Sequence, residues 1–269
     1  MKLVAAKCPN CGAQIDVDKD SDSTKCEFCK SKIIVEDAIA KYKIEISGEV
    51  SIKNLPQVEN LMKLADMHYQ DREYDEAYNQ YSRICELDPE NYCAILRKGL
   101  CKTLLMEYPN FDIISAVNAM KNAYKILSKE KSKDRINSSI LECNYVIATV
   151  AAKIMNQFQT GLVNADRMMQ MIAQLRACAN NQEFLYSLIF DNENIELVMI
   201  NSMLQTVKYI KEDKKYATGA TNNYGKPVIS YYRLPRNVKK EYQEFESKYN
   251  ARRNYIMAQK NPQPEEEKK

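Results

Sequence analysis

The chain has 269 residues, enough for one ordinary domain and a small module, and its 39 Lys and Arg against 36 Asp and Glu leave a net charge of only +3. That balance argues against phosphate binding over the whole surface. With no tryptophan, six glycines and eight prolines, the composition describes a helix-rich soluble chain with few sharp turns. A run of about 20 apolar residues, the length of a membrane span, does not occur; Tyr145 to Met155 is too short and is broken by Lys153. Lys7 interrupts the opening residues after only a few apolar positions, so no secretory signal is read and a cytoplasmic location is expected.

The first feature along the chain is a pair of C-x-x-C turns, Cys8-Pro9-Asn10-Cys11-Gly12 and Cys26-Glu27-Phe28-Cys29-Lys30. Two cysteines at that spacing aim both sulfurs at one point, and two such turns complete the tetrahedron that a structural zinc ion takes with four thiolates. Residues 1–35 hold too few large apolar side chains for a core of their own. Metal ligation, at roughly 10–16 kcal/mol per structural site, would replace the missing burial. The competing reading is four unmetallated thiols or two disulfides, and nothing marks the chain as secreted. Four thiolates leave no open position for a catalytic water. Gly12 after the second ligand suits a left-handed backbone, and the matching place in the second turn predicts a positive φ at Lys30, a non-glycine residue, at about 1 kcal/mol. With Ile33-Ile34-Val35 after it, the motif resembles the zinc ribbon family over residues 7–35, which implies Cys8, Cys11, Cys26 and Cys29 as ligands of one Zn²⁺.

Residues 37–56 read as a linker carrying a β-hairpin, since Tyr42, Ile44 and Ile46, then Val50 and Ile52, alternate with polar residues around Ser47-Gly48-Glu49. From Val58 the period becomes helical. Leu61, Leu64, Ala65 and His68, then Ala77 and Tyr81, with Pro89 closing the unit, stand at the positions of a tetratricopeptide repeat. Small Ala65 against small Ala77 permits a close helix crossing. Residues 58–91 resemble one good repeat of that family; a poorer copy starts at Tyr92, with Ile95 and Gly99 at anchor positions and a partner helix over Asp112 to Leu127. Zinc ribbon and repeat together resemble uncharacterised bacterial zinc-ribbon/TPR proteins over roughly residues 7–106.

Stacked repeats need caps. These are expected from 129–216: a helix over Asp134–Phe158, a second over Ala165–Ala179 with Asn164 as N-cap, a short one over Gln182–Phe190, and a last over Asn194–Tyr216. Residues 217–234 read as a loop with at most a short extended piece at Val228–Tyr232. Pro235 opens a basic amphipathic helix over 235–260, and 261–269 should be disordered. The fold class expected is therefore mainly α: an N-terminal four-cysteine zinc ribbon with a short β-hairpin, followed by an all-α, TPR-like helical-repeat (α-solenoid) domain over 57–128 and its successors.

Catalysis is not expected. His68, the single histidine, occupies a helix-packing position, and no phosphate loop or acidic metal cluster is present. Cys85, Cys93, Cys101, Cys143 and Cys178 fall inside helical patterns as small core residues. Two binding surfaces compete. The inner side of the first repeat helix carries Met62, Asp66, Tyr69 and Gln70, candidates for holding a partner protein or peptide, unless later helices cover them. Between Gln205 and Lys260 there are thirteen Lys or Arg and five acids, with tyrosines interleaved; Lys239, Lys240, Arg252 and Arg253 are the candidates for phosphate. A solvated face over a tyrosine-lined core reads the same residues without nucleic acid. The ribbon, with six lysines, five acids and a thiolate-bound divalent ion, carries about −1 and makes a poor phosphate surface. A non-enzymatic adaptor is the first reading; a nucleic-acid-associated factor is the alternative.

Overall fold

The structure is a computed structural model that describes residues 3–39, 55–107, 109–160 and 163–260. It divides into two compact units, Met1–Gln57 and Val58–Lys269. The hairpin expected over Tyr42–Ile52 and the tail 261–269 lie outside the described residues.

The first unit is two small antiparallel hairpins. β1 (Leu3–Lys7) pairs with β2 (Gln14–Asp18), and β3 (Ser23–Lys25) with β4 (Lys32–Ile34). The inward positions follow the strand period of two: Ile15 and Val17 are buried on β2, and Ile33 is buried while Ile34 next to it is exposed. A helical turn over 35–39 adds Val35 and Ala38. Among the described residues, the cluster they form with Ala6, Cys8 and Cys26 contains four buried side chains of valine size or larger, with Val4 and Ile39 half-buried against it. So small a core cannot by itself offset the entropy of ordering the segment.

The second unit opens within α1 (Leu55–Gln70), from Val58 on, and continues with α2 (Tyr74–Leu87) and α3 (Tyr92–Leu105). Ala65 and Ala77, both fully buried, share one cluster with Val58, Tyr81, Ile84 and Cys101. Tyr81 donates its hydroxyl to Asp66 at 2.6 Å, tying α2 back to α1. α4 (Ile113–Lys129), α5 (Lys133–Thr160), α6 (Ala165–Tyr186) and α7 (Glu193–Lys211) follow. From α2 onward each of these helices packs on the next, and α5 also touches α3 and α7. Short polar residues start them: Asn91, Asp112, Asn164 and Asn192 accept from the amides of Ala94, Ser115, Arg167 and Ile195. Each such cap stabilises its helix by about 1 kcal/mol. The apolar stripe Ile136, Ile140, Cys143, Ile147, Val150 and Ile154 makes α5 the centre of the main core.

Two expectations are corrected. The stretch 217–234 is more than a loop: β5 (Lys214–Thr221) and β6 (Pro227–Tyr232), the latter containing the extended piece expected at Val228–Tyr232, form an antiparallel hairpin, so the preceding helix ends at Lys211 rather than Tyr216. The hairpin is held by tertiary contacts, since the Ala217 amide donates to the Val163 carbonyl at 2.8 Å and Tyr216 and Tyr232 pack on the core. The second correction concerns Ala165–Ala179 and Gln182–Phe190: the first and the opening turn of the second join into the single helix α6, which ends at Tyr186. Its Gln182 is buried and donates to Asn144 of α5 and Ser202 of α7, so the polar break in the sequence is a cross-helix contact. The last helix, α8 (Arg236–Lys260), buries Tyr242, Tyr249 and Ile256; the latter two pack against Ile200 and Met203 of α7.

Candidate metal centre

Each C-x-x-C turn forms the tip of its own hairpin. In the first, the Cys8 amide donates to the Ala13 carbonyl at 2.8 Å and the Gly12 amide to the Cys8 carbonyl at 2.9 Å. In the second, Cys26 donates to Ser31 at 2.9 Å and Lys30 to Cys26 at 2.9 Å. The two knuckles are the same device, repeated. Both need a left-handed residue after the second cysteine, and both have one: φ is +75° at Gly12 and +61° at Lys30. Lys30 is thus the predicted non-glycine residue in that region.

The knuckles bring four sulfurs together. All four Sγ atoms lie within 4.8 Å of one another. Cys8 Sγ and Cys29 Sγ are 3.7 Å apart, as are Cys11 Sγ and Cys26 Sγ. Four thiolates around a tetrahedral ion at a metal–sulfur length of about 2.3 Å stand about 3.8 Å from each other. A disulfide would need about 2.05 Å. The donor set therefore fits a metal ion, and all nine cysteines are free thiols.

Local groups prepare the sulfurs for a cation. The Cys11 amide holds the Cys8 thiol below its ordinary range. The Ser31 hydroxyl, helped by the Ser31 amide, brings Cys29 down to about 6. At Cys11 the Ala13 amide pulls the thiol down, but burial and the neighbouring Cys29, Cys8 and Cys26 outweigh it and push it up to about 11. Four thiols this close resist ionising together; a divalent ion at their centre replaces that repulsion with attraction. Ser31 was not among the residues singled out from sequence. Its signal was its place, two positions after the last ligand.

The other candidate residues are dispersed or engaged. Asp66 accepts from Tyr81 and pairs with Arg97 Nη1 at 2.7 Å, while Arg97 Nε reaches Glu142 at 2.9 Å. Tyr69 lies under the Arg97 guanidinium and edge-on to Tyr74 and Tyr81. Met62 is half-buried and Gln70 exposed. Arg97, unremarked in the sequence, is the residue that organises this corner.

Within the basic third, Arg252 makes two bonds to Glu196, at 2.9 and 3.0 Å, and Lys240 sits 3.8 Å from Glu244. Lys211, Lys248 and Arg233 pair with Glu246, Glu183 and Asp213. Lys239 is exposed and Arg253 half-buried. Tyr242 and Tyr249 are core residues. His68 Nδ1 stands 2.6 Å from Glu73 at the turn into α2. Burial pushes the thiols of Cys101, Cys143 and Cys178 up to about 12, so none of them is a ready nucleophile. Among the described residues no helix is long and apolar enough to cross a membrane. Comparison of the chain with protein-family models and with curated proteins finds no match.

Proposed function

We propose that the chain is a non-enzymatic adaptor, in which one structural zinc ion organises the amino-terminal unit and the helical body binds another protein. The observation that carries the metal's role is the closed thiolate set. Four sulfurs at tetrahedral spacing leave no position for water or substrate. Zinc is the ion that four thiolates in two knuckles favour in a reducing compartment such as the cytoplasm. Helices that pack each on the next support a body of the repeat kind, resembling tetratricopeptide pairs over 57–128. Such bodies present long surfaces to protein partners. The alternative, phosphate binding by the carboxyl third, draws less support because Arg252, Lys240 and several neighbours are engaged with carboxylates of the same chain.

Two measurements test this reading. Elemental analysis of the purified chain is expected to give one zinc per chain. Capture of partners from cell extract is expected to survive nuclease treatment, with no retention on heparin at moderate salt. Retention that falls steeply with salt and disappears with Lys239→Glu and Lys240→Glu would instead establish the phosphate-binding alternative.

A further inference from the structure

Two cavities, of about 410 Å³ and 530 Å³, lie on either side of the exposed face of α4 and share Asn118 and Asn122 in their linings. Lys98 and Lys102 of α3 line the first; Lys121 and Lys125 of α4 line the second. Neither lining contains an acidic residue. On α4, Asn118, Lys121, Asn122 and Lys125 recur at spacings of three and four, which puts them on one helix face.

Two of these lysines, Lys98 and Lys121, meet rings rather than carboxylates. The Lys98 ammonium lies 5.7 Å from the Tyr78 ring centre and that of Lys121 lies 5.0 Å from the Phe184 ring centre. Among the described residues Lys98, Lys121 and Lys125 have no carboxylate partner, and Lys102 has only a long contact of 3.7 Å to Asp112. This differs from the carboxyl third, where cations meet acids of the same chain.

The shape and chemistry match a peptide better than a nucleic acid. From Ser115 to Lys125 the face runs about 15 Å, the length of four or five extended residues. Asparagine amides offer a donor and an acceptor together, as a peptide backbone requires. Gly99, Ala119 and Ile95 form an apolar floor for one uncharged side chain. The rings of Tyr78 and Phe184 each already have a lysine ammonium over them, so a base stacked on that side would have to displace it.

We propose that this groove is the docking site for an extended acidic segment of a partner protein, with Lys98, Lys102, Lys121 and Lys125 meeting carboxylates and Asn118 and Asn122 meeting the peptide backbone. The proposal rests on the adaptor reading and names its partner's chemistry.

The test uses the full zinc-loaded chain and a fluorescein-labelled, end-capped six-residue peptide of alternating glutamate and leucine. That peptide is expected to bind, and its counterpart with lysine in place of glutamate is not. Lys121→Glu with Lys125→Glu is expected to weaken binding about tenfold or more, while Lys239→Glu with Lys240→Glu leaves it unchanged. Both changes are at exposed positions, and circular dichroism checks that each variant folds. The milder Lys121→Gln with Lys125→Gln should give an intermediate loss. Unchanged affinity in the reversed variant overturns the proposal, as does an oligouridylate that displaces the peptide and depends on the same two lysines. Partner capture from extract that persists with Lys121→Glu and Lys125→Glu also overturns it while leaving the adaptor reading intact. Capture abolished by nuclease defeats the adaptor reading itself, and the peptide measurement then still decides the groove.

Discussion

A Cβ placed on Gly99 would lie 2.2 Å from the Cβ of Ala119 and 2.8 Å from the Ser115 carbonyl oxygen. Helices α3 and α4 therefore cross with backbone against methyl group, and the small residues are what allow it. Gly99→Ala is expected to destabilise the helical unit by about 1–3 kcal/mol through overpacking, although alanine by itself favours a helix by about 1 kcal/mol. Combining it with Ala119→Gly should recover only part of the loss, because the Ser115 carbonyl is backbone and cannot withdraw. Urea unfolding followed by circular dichroism reads both, and a Gly99→Ala midpoint equal to the parent's would show that the helices separate freely.

Removal of the metal should unfold one end and spare the other. A chelator, or Cys11→Ser, is expected to abolish amide protection over β1 to β4. The helical unit has its own core and should keep its melting temperature within experimental error. Hydrogen exchange read by mass spectrometry separates the two units. Protection of β1 to β4 that survives chelation would mean that the four apolar side chains suffice, against the argument from core size.

The knuckle residues Gly12 and Lys30 allow a cleaner measurement of backbone strain. A Cβ at Gly12 meets only Lys7 Cε, at 3.9 Å, so Gly12→Ala adds no clash and tests φ alone. The left-handed cost of about 1–2 kcal/mol should make the variant release metal to a competing chelator several-fold more readily. Lys30→Gly should shift the competition the other way by a smaller amount, since glycine's greater freedom in the unfolded chain opposes the gain. Equal metal retention in all three proteins would remove strain from the account of this site.

What the sequence disclosed, and what it hid, follows from where each signal resides. The four-cysteine cluster was legible because its geometry is local: four cysteines, Gly12 and Lys30 act within six-residue turns. Asn164 was legible as a cap for the same reason. Of the β5–β6 hairpin only the extended piece Val228–Tyr232 was legible; its pairing with β5 was hidden because only Lys214 is buried along the two strands, so no alternation of apolar and polar residues marks them. A further local sign was the turn Asn222 to Lys226, with Gly225 at φ +73°. Asp66 and Tyr69 looked available because nothing near them in sequence announces Arg97, some thirty residues on, as their partner. Conversely, the stripe Asn118, Lys121, Asn122 and Lys125 stands in the helical period, but its lack of acidic neighbours belongs to the packing of α3, α4 and α6 and not to the local sequence.

The dock between α7 and α8 makes a prediction with a definite pH sign. Hydrogen bonds from the Arg252 guanidinium, with a further one from the Tyr186 hydroxyl, hold the Glu196 carboxyl below its usual range. A carboxyl depressed in the folded state stabilises that state fully above its unfolded pKa of about 4.3. The contribution is lost as pH falls through the lower, folded value. Arg252 is 39% exposed and Glu196 15%, so solvent screening reduces the worth of the pair to about 1–2 kcal/mol. Arg252→Gln should lower the melting temperature at pH 7 accordingly. The gap between parent and variant should stay constant down to about pH 5 and narrow below about pH 4, as the parent's Glu196 takes up its proton. Thermal melts at intervals from pH 7 to pH 3 measure that gap. A difference independent of pH would mean that Arg252 holds α8 in place by packing along its methylene stem instead of through Glu196.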